Sequence, residues 1–162
     1  DRFTETVRYS YDGLDRRTTT DGDTGFVRYL YADRGVVEER DQTDALVTTY
    51  AGGLMMDRGG SVSFYHADGT GSVRAVADQA GDVVERVDYG PFGTPAFEAG
   101  GLESSVGNPY LFRSSRYDAD VELYVYGGLR HDPTTGRYLQ RGTEGVANPY
   151  TFAYNNPLLR QP

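Results

Sequence analysis

The stretch Val7-Arg8-Tyr9-Ser10-Tyr11-Asp12-Gly13 returns twenty residues later as Val27-Arg28-Tyr29-Leu30-Tyr31-Ala32-Asp33. In the first copy Val7, Tyr9 and Tyr11 alternate with Thr6, Arg8 and Ser10, the period of two that puts one aromatic face of a strand inward. Weaker echoes end in Tyr50, in Phe64-Tyr65 and in Val87-Asp88-Tyr89. A turn follows each terminal Tyr: Asp12-Gly13, Asp33-Arg34-Gly35, Ala51-Gly52-Gly53, Asp68-Gly69-Thr70-Gly71 and Gly90-Pro91-Phe92-Gly93. Strands then resume, as in Val36–Arg40 and Ser72–Val76. Each unit is one hairpin of about twenty residues, and because a lone hairpin cannot bury its apolar face, the copies must stack.

Composition agrees. Of 162 residues, 21 are Gly and 14 are Tyr, with no Trp or Cys. Tyr, Val, Thr and Phe suit a pleated surface, and Gly supplies turn positions with positive φ. Near Gly90 the character changes: 91–109 reads as a Gly/Pro/Ser-rich loop. Beyond it, Tyr110–Phe112, Leu123–Tyr126, Arg137–Leu139 and Tyr150–Tyr154 read as short aromatic strands. Asp132-Pro133-Thr134-Thr135-Gly136 is a turn in which Pro presets φ and Gly supplies the exit. The expectation is an all-β fold of stacked antiparallel hairpins. Repeats over 1–90 and aromatic hairpins over 110–162 form one continuous domain.

Charge limits the partners. Every one of the 16 basic residues is Arg, and against 24 acidic residues they leave a net charge of −8. Nucleic acid and anionic membrane are therefore poor partners, and no apolar run is long enough for a membrane helix. The chain starts at Asp1 rather than Met, as expected of a processed product or an excerpt.

Motifs with catalytic potential have simpler readings as turns. Asp118, Asp120 and Glu122 would share a face if extended, able to hold Ca²⁺ or to act as an acid–base pair, yet an acidic turn is the better reading. Asp21-Gly22-Asp23-Thr24-Gly25 lacks the later ligands of a calcium loop and reads as a hairpin turn. His66 and His131, beside Asp68 and Asp132, lie 65 residues apart. Ser72, Ser104, Ser105, Ser114 and Ser115 sit in no nucleophile-elbow pattern, and Gly52-Gly53 and Gly69-Thr70-Gly71 lack the strand-then-helix context of a phosphate loop. No catalytic residue, metal site or cofactor is expected. Tyr at alternate positions could stack sugars, but a hairpin core needs the same stripe.

Tyr11-Asp12-Gly13-Leu14-Asp15-Arg16-Arg17 resembles the unit of the tyrosine–aspartate (YD) repeat, or Rhs, family. The resemblance continues in Tyr65–Arg74 and in Asp88–Gly93. It is most specific from Arg116-Tyr117-Asp118-Ala119 through Leu123–Tyr126, Leu129–Pro133, Gly136–Leu139 and Asn148-Pro149-Tyr150 to Tyr154 and Asn155-Asn156-Pro157. It implies a sheet that spirals into a solenoid or shell segment around a cargo, often a toxin, in a secreted or surface protein. It marks Tyr9, Tyr11, Asp12, Tyr29, Tyr31, Asp33, Tyr65, Tyr89, Tyr117, Asp118, Tyr124, Tyr126, Asp132, Pro133, Gly136, Arg137, Asn155, Asn156 and Pro157 as repeat-motif residues. The family's self-cleavage sequence, Asp-Pro-x-Gly-Leu, does not follow Pro157, and Arg130-His131-Asp132-Pro133 replaces its Tyr-Tyr-Asp-Pro.

Three roles follow. The first is a non-enzymatic scaffold or shell module, whose partners are neighbouring repeats of a longer chain. The second is a self-assembling extracellular fibre subunit, a homo-oligomer joined through β-edges, with Arg8, Arg28 and Asp88 as edge charges. The third is a module binding glycans or a surface receptor through Tyr faces. About five to seven units are too few to enclose a toxin alone.

Overall fold

The computed structural model describes residues 6–22, 25–33, 35–126, 128–142 and 148–157. Among the described residues the regular structure is fourteen strands and two short 3₁₀ turns, and the fold is all-β, as expected. Two compact units divide the chain, 1–64 and 65–162.

The first unit is a meander in chain order: β1 (Arg8–Tyr11), β2 (Arg17–Gly22), β3 (Gly25–Ala32), β4 (Gly35–Arg40), β5 (Leu46–Ala51), β6 (Met55–Arg58) and the start of β7 (Ser61–Ala67). Each pairs antiparallel with the next, in registers such as Gly22↔Gly25 and Arg58↔Ser61. The Asp21–Gly25 motif is thus a hairpin connection, with Asp23 and Thr24 outside the described residues. Tyr29, Val36, Tyr50 and Met56 are buried. Tyr11 departs from the expected inward stripe: it ends β1 opposite a bulge on β2, where Ser10 pairs with Thr19 and Tyr11 with Arg17, and it is 46% exposed. Of the edge charges expected, Arg8 lies on the first strand, but Arg28 sits on β3 between β2 and β4. There it bonds Asp44 at 2.9 Å.

In the second unit β8 (Val73–Ala77), β9 (Val83–Tyr89) and β10 (Pro95–Phe97) follow in order, and β11 (Arg116–Asp118), β12 (Leu123–Tyr126), β13 (Leu129–Asp132) and β14 (Arg137–Tyr138) make a four-stranded sheet. Asp88 therefore lies on an inner strand, and Arg74 neutralises it at 3.0 Å. Within the expected loop 91–109, Pro95–Phe97 is a strand paired to Val87–Tyr89, because Phe97 and Pro95 turn inward to the core. The expected strands Tyr110–Phe112 and Tyr150–Tyr154 do not form, and the chain there enters 3₁₀ turns at Phe112–Ser114 and Phe152–Asn155. Arg113 and Ser114 are left-handed, held there by the Ser114 hydroxyl on the Gly71 carbonyl (2.7 Å) and the Arg113 amide on the Ser72 hydroxyl (3.1 Å). Ala153, Tyr154 and Asn155 are likewise left-handed. The core gathers Val87, Phe97, Leu111, Phe112, Tyr124 and Phe152 with their aromatic neighbours.

Candidate functional site

One turn geometry recurs through both units. At Asp12, Asp41, Asp68 and Asp78 the Asp amide donates to the carbonyl four residues on, and its carbonyl accepts the amide three residues on. Its Oδ1 accepts two more amides, two and four residues on, at 2.8–3.1 Å: Leu14 and Arg16, Thr43 and Ala45, Thr70 and Ser72, Ala80 and Asp82. The residue three on has positive φ: Asp15, Asp44, Gly71 and Gly81. One carboxylate oxygen therefore caps two amides of a tight hairpin loop. Gly90 closes the same backbone loop without a side chain, with Gly93 as its left-handed exit.

At two of these turns the second carboxylate oxygen extends the motif into a clamp. Asp12 Oδ2 accepts Arg16 Nε at 2.8 Å, Arg16 lies 4.9 Å over the Tyr31 ring, and the Tyr31 hydroxyl donates to the Arg17 carbonyl at 2.8 Å. Asp68 Oδ2 accepts Arg74 Nε at 2.9 Å, Arg74 lies 5.3 Å over Tyr89, and the Tyr89 hydroxyl donates to the Val73 carbonyl at 2.6 Å. Asp, Arg and Tyr thus tie one turn to the far end of the next hairpin, combining a charge-assisted bond, a cation–π contact and a backbone bond. Burial alone would raise the Asp68 carboxyl. The Thr70 hydroxyl, Arg74 and the Thr70 and Ser72 amides outweigh it and hold the group at about 2.

The remaining sequence-marked residues serve hairpin contacts, the aromatic centre and turns. Tyr9 lies under the Arg17 guanidinium at 4.0 Å, Tyr29 bonds Thr20 at 3.0 Å, Asp33 accepts Arg16 on its carbonyl, and Tyr65 is buried on β7. Tyr117, Tyr124 and Tyr126 lie in the aromatic centre of the second unit. Here Tyr117 and Tyr124 have centroids 4.8 Å apart, and the buried Tyr124 hydroxyl donates to the Gly93 carbonyl at 2.7 Å. Burial pushes the Tyr117, Tyr124 and Tyr126 hydroxyls well above the usual phenol range. Asp132 caps its Pro133–Gly136 turn through the amides and hydroxyls of Thr134 and Thr135, and Arg137 follows on β14. Asn155, Asn156 and Pro157 end the second 3₁₀ turn, where the Asn156 amide bonds the Ala153 carbonyl.

The groups weighed for chemistry are otherwise engaged. Asp118 ends β11, whereas Asp120 and Glu122 lie in the following turn, Glu122 at φ 56. His66 is exposed, and His131 is fully buried against aromatic rings. Among the described residues no three His, Asp or Glu side chains converge as metal ligands. Sequence reading missed Glu85, a buried carboxylate that accepts both Ser104 and Ser105 hydroxyls and the Ser105 amide at 2.6–3.0 Å. It borders a half-open cavity of about 290 Å³ with Val83, Val84, Phe97 and Glu103. Its serines lie twenty residues away, and no local pattern announces them.

The family model of the teneurin YD-shell matches residues 2–158. The chain belongs to the teneurin YD-shell family. This YD-shell chain is 24% identical over 165 residues to the tRNA3(Ser)-specific nuclease WapA of Bacillus spizizenii, covering 93% of this chain and 7% of that protein. It is 25% identical over 158 residues to double-stranded DNA deaminase toxin A of Burkholderia cenocepacia, covering 93% and 11%. Among solved structures it resembles the TcdB2-TccC3-Cdc42 crystal structure (TM-score 0.72, 19% identity, covering 96% of this chain and 9% of that one). It also resembles the Photorhabdus luminescens Tc holotoxin pore (TM-score 0.69, 20% identity, 94% and 8%). The YD-shell chain spans about a tenth or less of each, so the likeness to the structures is one of fold. No helix among the described residues is long and apolar enough to cross a membrane.

Proposed function

We propose that these residues form a wall segment of a YD-repeat shell that encloses a polypeptide cargo, in a protein that acts outside the cell or at its surface. The segment catalyses nothing itself. The observation that carries this reading is the repeated Asp–Arg–Tyr clamp, Asp12–Arg16–Tyr31 and Asp68–Arg74–Tyr89. It fixes hairpin to hairpin with residues local to each pair, so a wall extends by adding copies. The nuclease and deaminase activities in the relatives' names belong to proteins of which this chain matches a small part. Their occurrence beside one shared YD segment supports a wall that accepts different cargoes. Incubating the purified chain with tRNA and with double-stranded DNA tests the non-catalytic half: no cleavage and no deamination is the expected result, and turnover that scales with the chain overturns it.

A second reading has one observation in its favour. Among the described residues β1 is the first strand of its sheet and pairs with β2, and the end of a sheet is where a further strand can add. Pairing of that edge with another copy would give a fibre. Light scattering on a concentration series separates the two, since a fibre subunit grows with concentration and a wall segment keeps one mass.

A further inference from the structure

His131 is completely buried, and its ring stacks on Phe152 with centroids 3.9 Å apart and planes at 20°. Tyr126 and Tyr138 meet it edge-on at 5.8 and 6.0 Å, and Tyr124 lies at 6.0 Å. Neither ring nitrogen has a hydrogen-bond partner. A neutral imidazole in this position already forgoes two hydrogen bonds, and an imidazolium would bring a full charge to a site with no acceptor.

The groups around it offer no relief. From β12 come Tyr124 and Tyr126, whose hydroxyls are spent on the carbonyls of Gly93 and Phe112, and from β14 comes Tyr138. The second 3₁₀ turn presents Phe152, which cannot accept a proton. The first presents Arg113, whose positive charge reaches the Tyr126 and Tyr138 hydroxyls and whose Nε and Nη1 are buried without an acceptor. On His131's own strand Arg130 is a further cation. Asp132 is the neighbouring carboxylate, and its oxygens accept from Thr134 and Thr135. Burial therefore outweighs the attraction of Asp132 and pushes the imidazole down to about 4.

The stack also anchors a segment. Residues 148–157 reach the β11–β14 sheet through Phe152, through a bridge between Thr151 and Arg137 and through the Tyr138 amide on the Tyr150 carbonyl (2.8 Å), and the Gly142 amide, just past the sheet, bonds the Pro149 carbonyl at 2.8 Å. We infer that His131 is an acid-operated release for the segment 148–157, its protonation breaking the Phe152 stack that holds this segment on the sheet. This device is independent of whether the chain encloses a cargo.

The direction follows from proton linkage. Undocked, the imidazole titrates near 6.5; docked, it titrates lower, so the docked state binds fewer protons. The stabilisation is complete above about pH 6.5 and is lost as pH falls towards 4. The equilibrium between docked and undocked states should fall about 40-fold from pH 6.5 to 4.5, and about 300-fold in full.

Hydrogen exchange on the whole chain, corrected for intrinsic rates, tests this. Between pH 6.5 and 4.5 protection at 148–157 should drop while β2–β6 keep theirs. His131→Phe keeps a ring for the stack, cannot be protonated, and should hold protection across that interval. Equal loss in wild type and His131→Phe overturns the inference. Should that variant fail to fold, an NMR titration of the wild-type imidazole decides. A His131 midpoint near 4, accompanied by loss of the Phe152 contacts, supports the device, and a midpoint near 6.5 in an unchanged fold overturns it.

Discussion

Arg74 meets three partners at once, bonding the Asp68 carboxylate at 2.9 Å and the Asp88 carboxylate at 3.0 Å while its guanidinium carbon lies 5.3 Å above the Tyr89 ring. The planar fork is what permits all three. Arg74→Lys should keep the charge and lose the stacking and the fixed donor geometry, for a loss of about 0.5–1.5 kcal/mol in unit 65–162. Tyr89→Phe isolates the hydroxyl on the Val73 carbonyl and should cost about 1 kcal/mol. A urea-denaturation double-mutant cycle of the two checks the clamp, which requires a non-zero coupling term.

Asp68 sets an acid limit distinct from that of His131. Its folded carboxyl sits at about 2, below the unfolded value near 4, so its contribution is fully present above pH 4 and is lost as pH falls towards 2. Asp68→Asn keeps an oxygen for the Thr70 and Ser72 amides but removes the charge that Arg74 meets. The variant should be less stable at pH 7 and should show a shallower decline between pH 4 and pH 2, measured by thermal melts across that range.

Gly136 packs under an aromatic ring. Its φ is +68°, and a Cβ there would stand 2.8 Å from the Phe92 ring. Gly136→Ala should therefore destabilise the unit by about 2–4 kcal/mol through left-handed strain and overlap together. Phe92→Leu in the same chain should recover the overlap part and leave the backbone part, a split that denaturation of both variants resolves.

The Glu85 carboxylate holds the 104–105 segment through three donors, the Ser104 and Ser105 hydroxyls and the Ser105 amide. Replacing it with Gln puts an NH₂ donor where serine donors converge, which should cost about 1–3 kcal/mol. Exchange protection at Ser105 and Asn108 should fall, while that of β12 and β13 changes little.

The sequence carries the hairpin meander plainly because its determinants are local. Alternation around Tyr9 and Tyr29, an Asp at the loop start and a Gly or Asp three residues on are all readable within a dozen positions. The Asp41 and Asp78 loops have the same spacing and escaped notice because no Tyr precedes them. Elements set by distant contacts were illegible. Tyr110–Phe112 reads as a strand by composition, but the chain enters a left-handed turn at Arg113 and Ser114 because Gly71 and Ser72, some forty residues earlier, capture it. Tyr11, at the end of β1 beside a register shift that no residue type announces, is exposed. The Arg–Tyr half of the clamp lay hidden for the same reason, since Arg16 and Tyr31 meet only when two hairpins pair.

The most direct test of the wall-segment account is cryo-electron microscopy of the full-length polypeptide that contains these residues. The account predicts that the outer edge of β1 is paired to another hairpin of the same chain and that the hairpins border an enclosed volume holding polypeptide. A β1 edge open to solvent, with these residues folded apart from any enclosure, would contradict it.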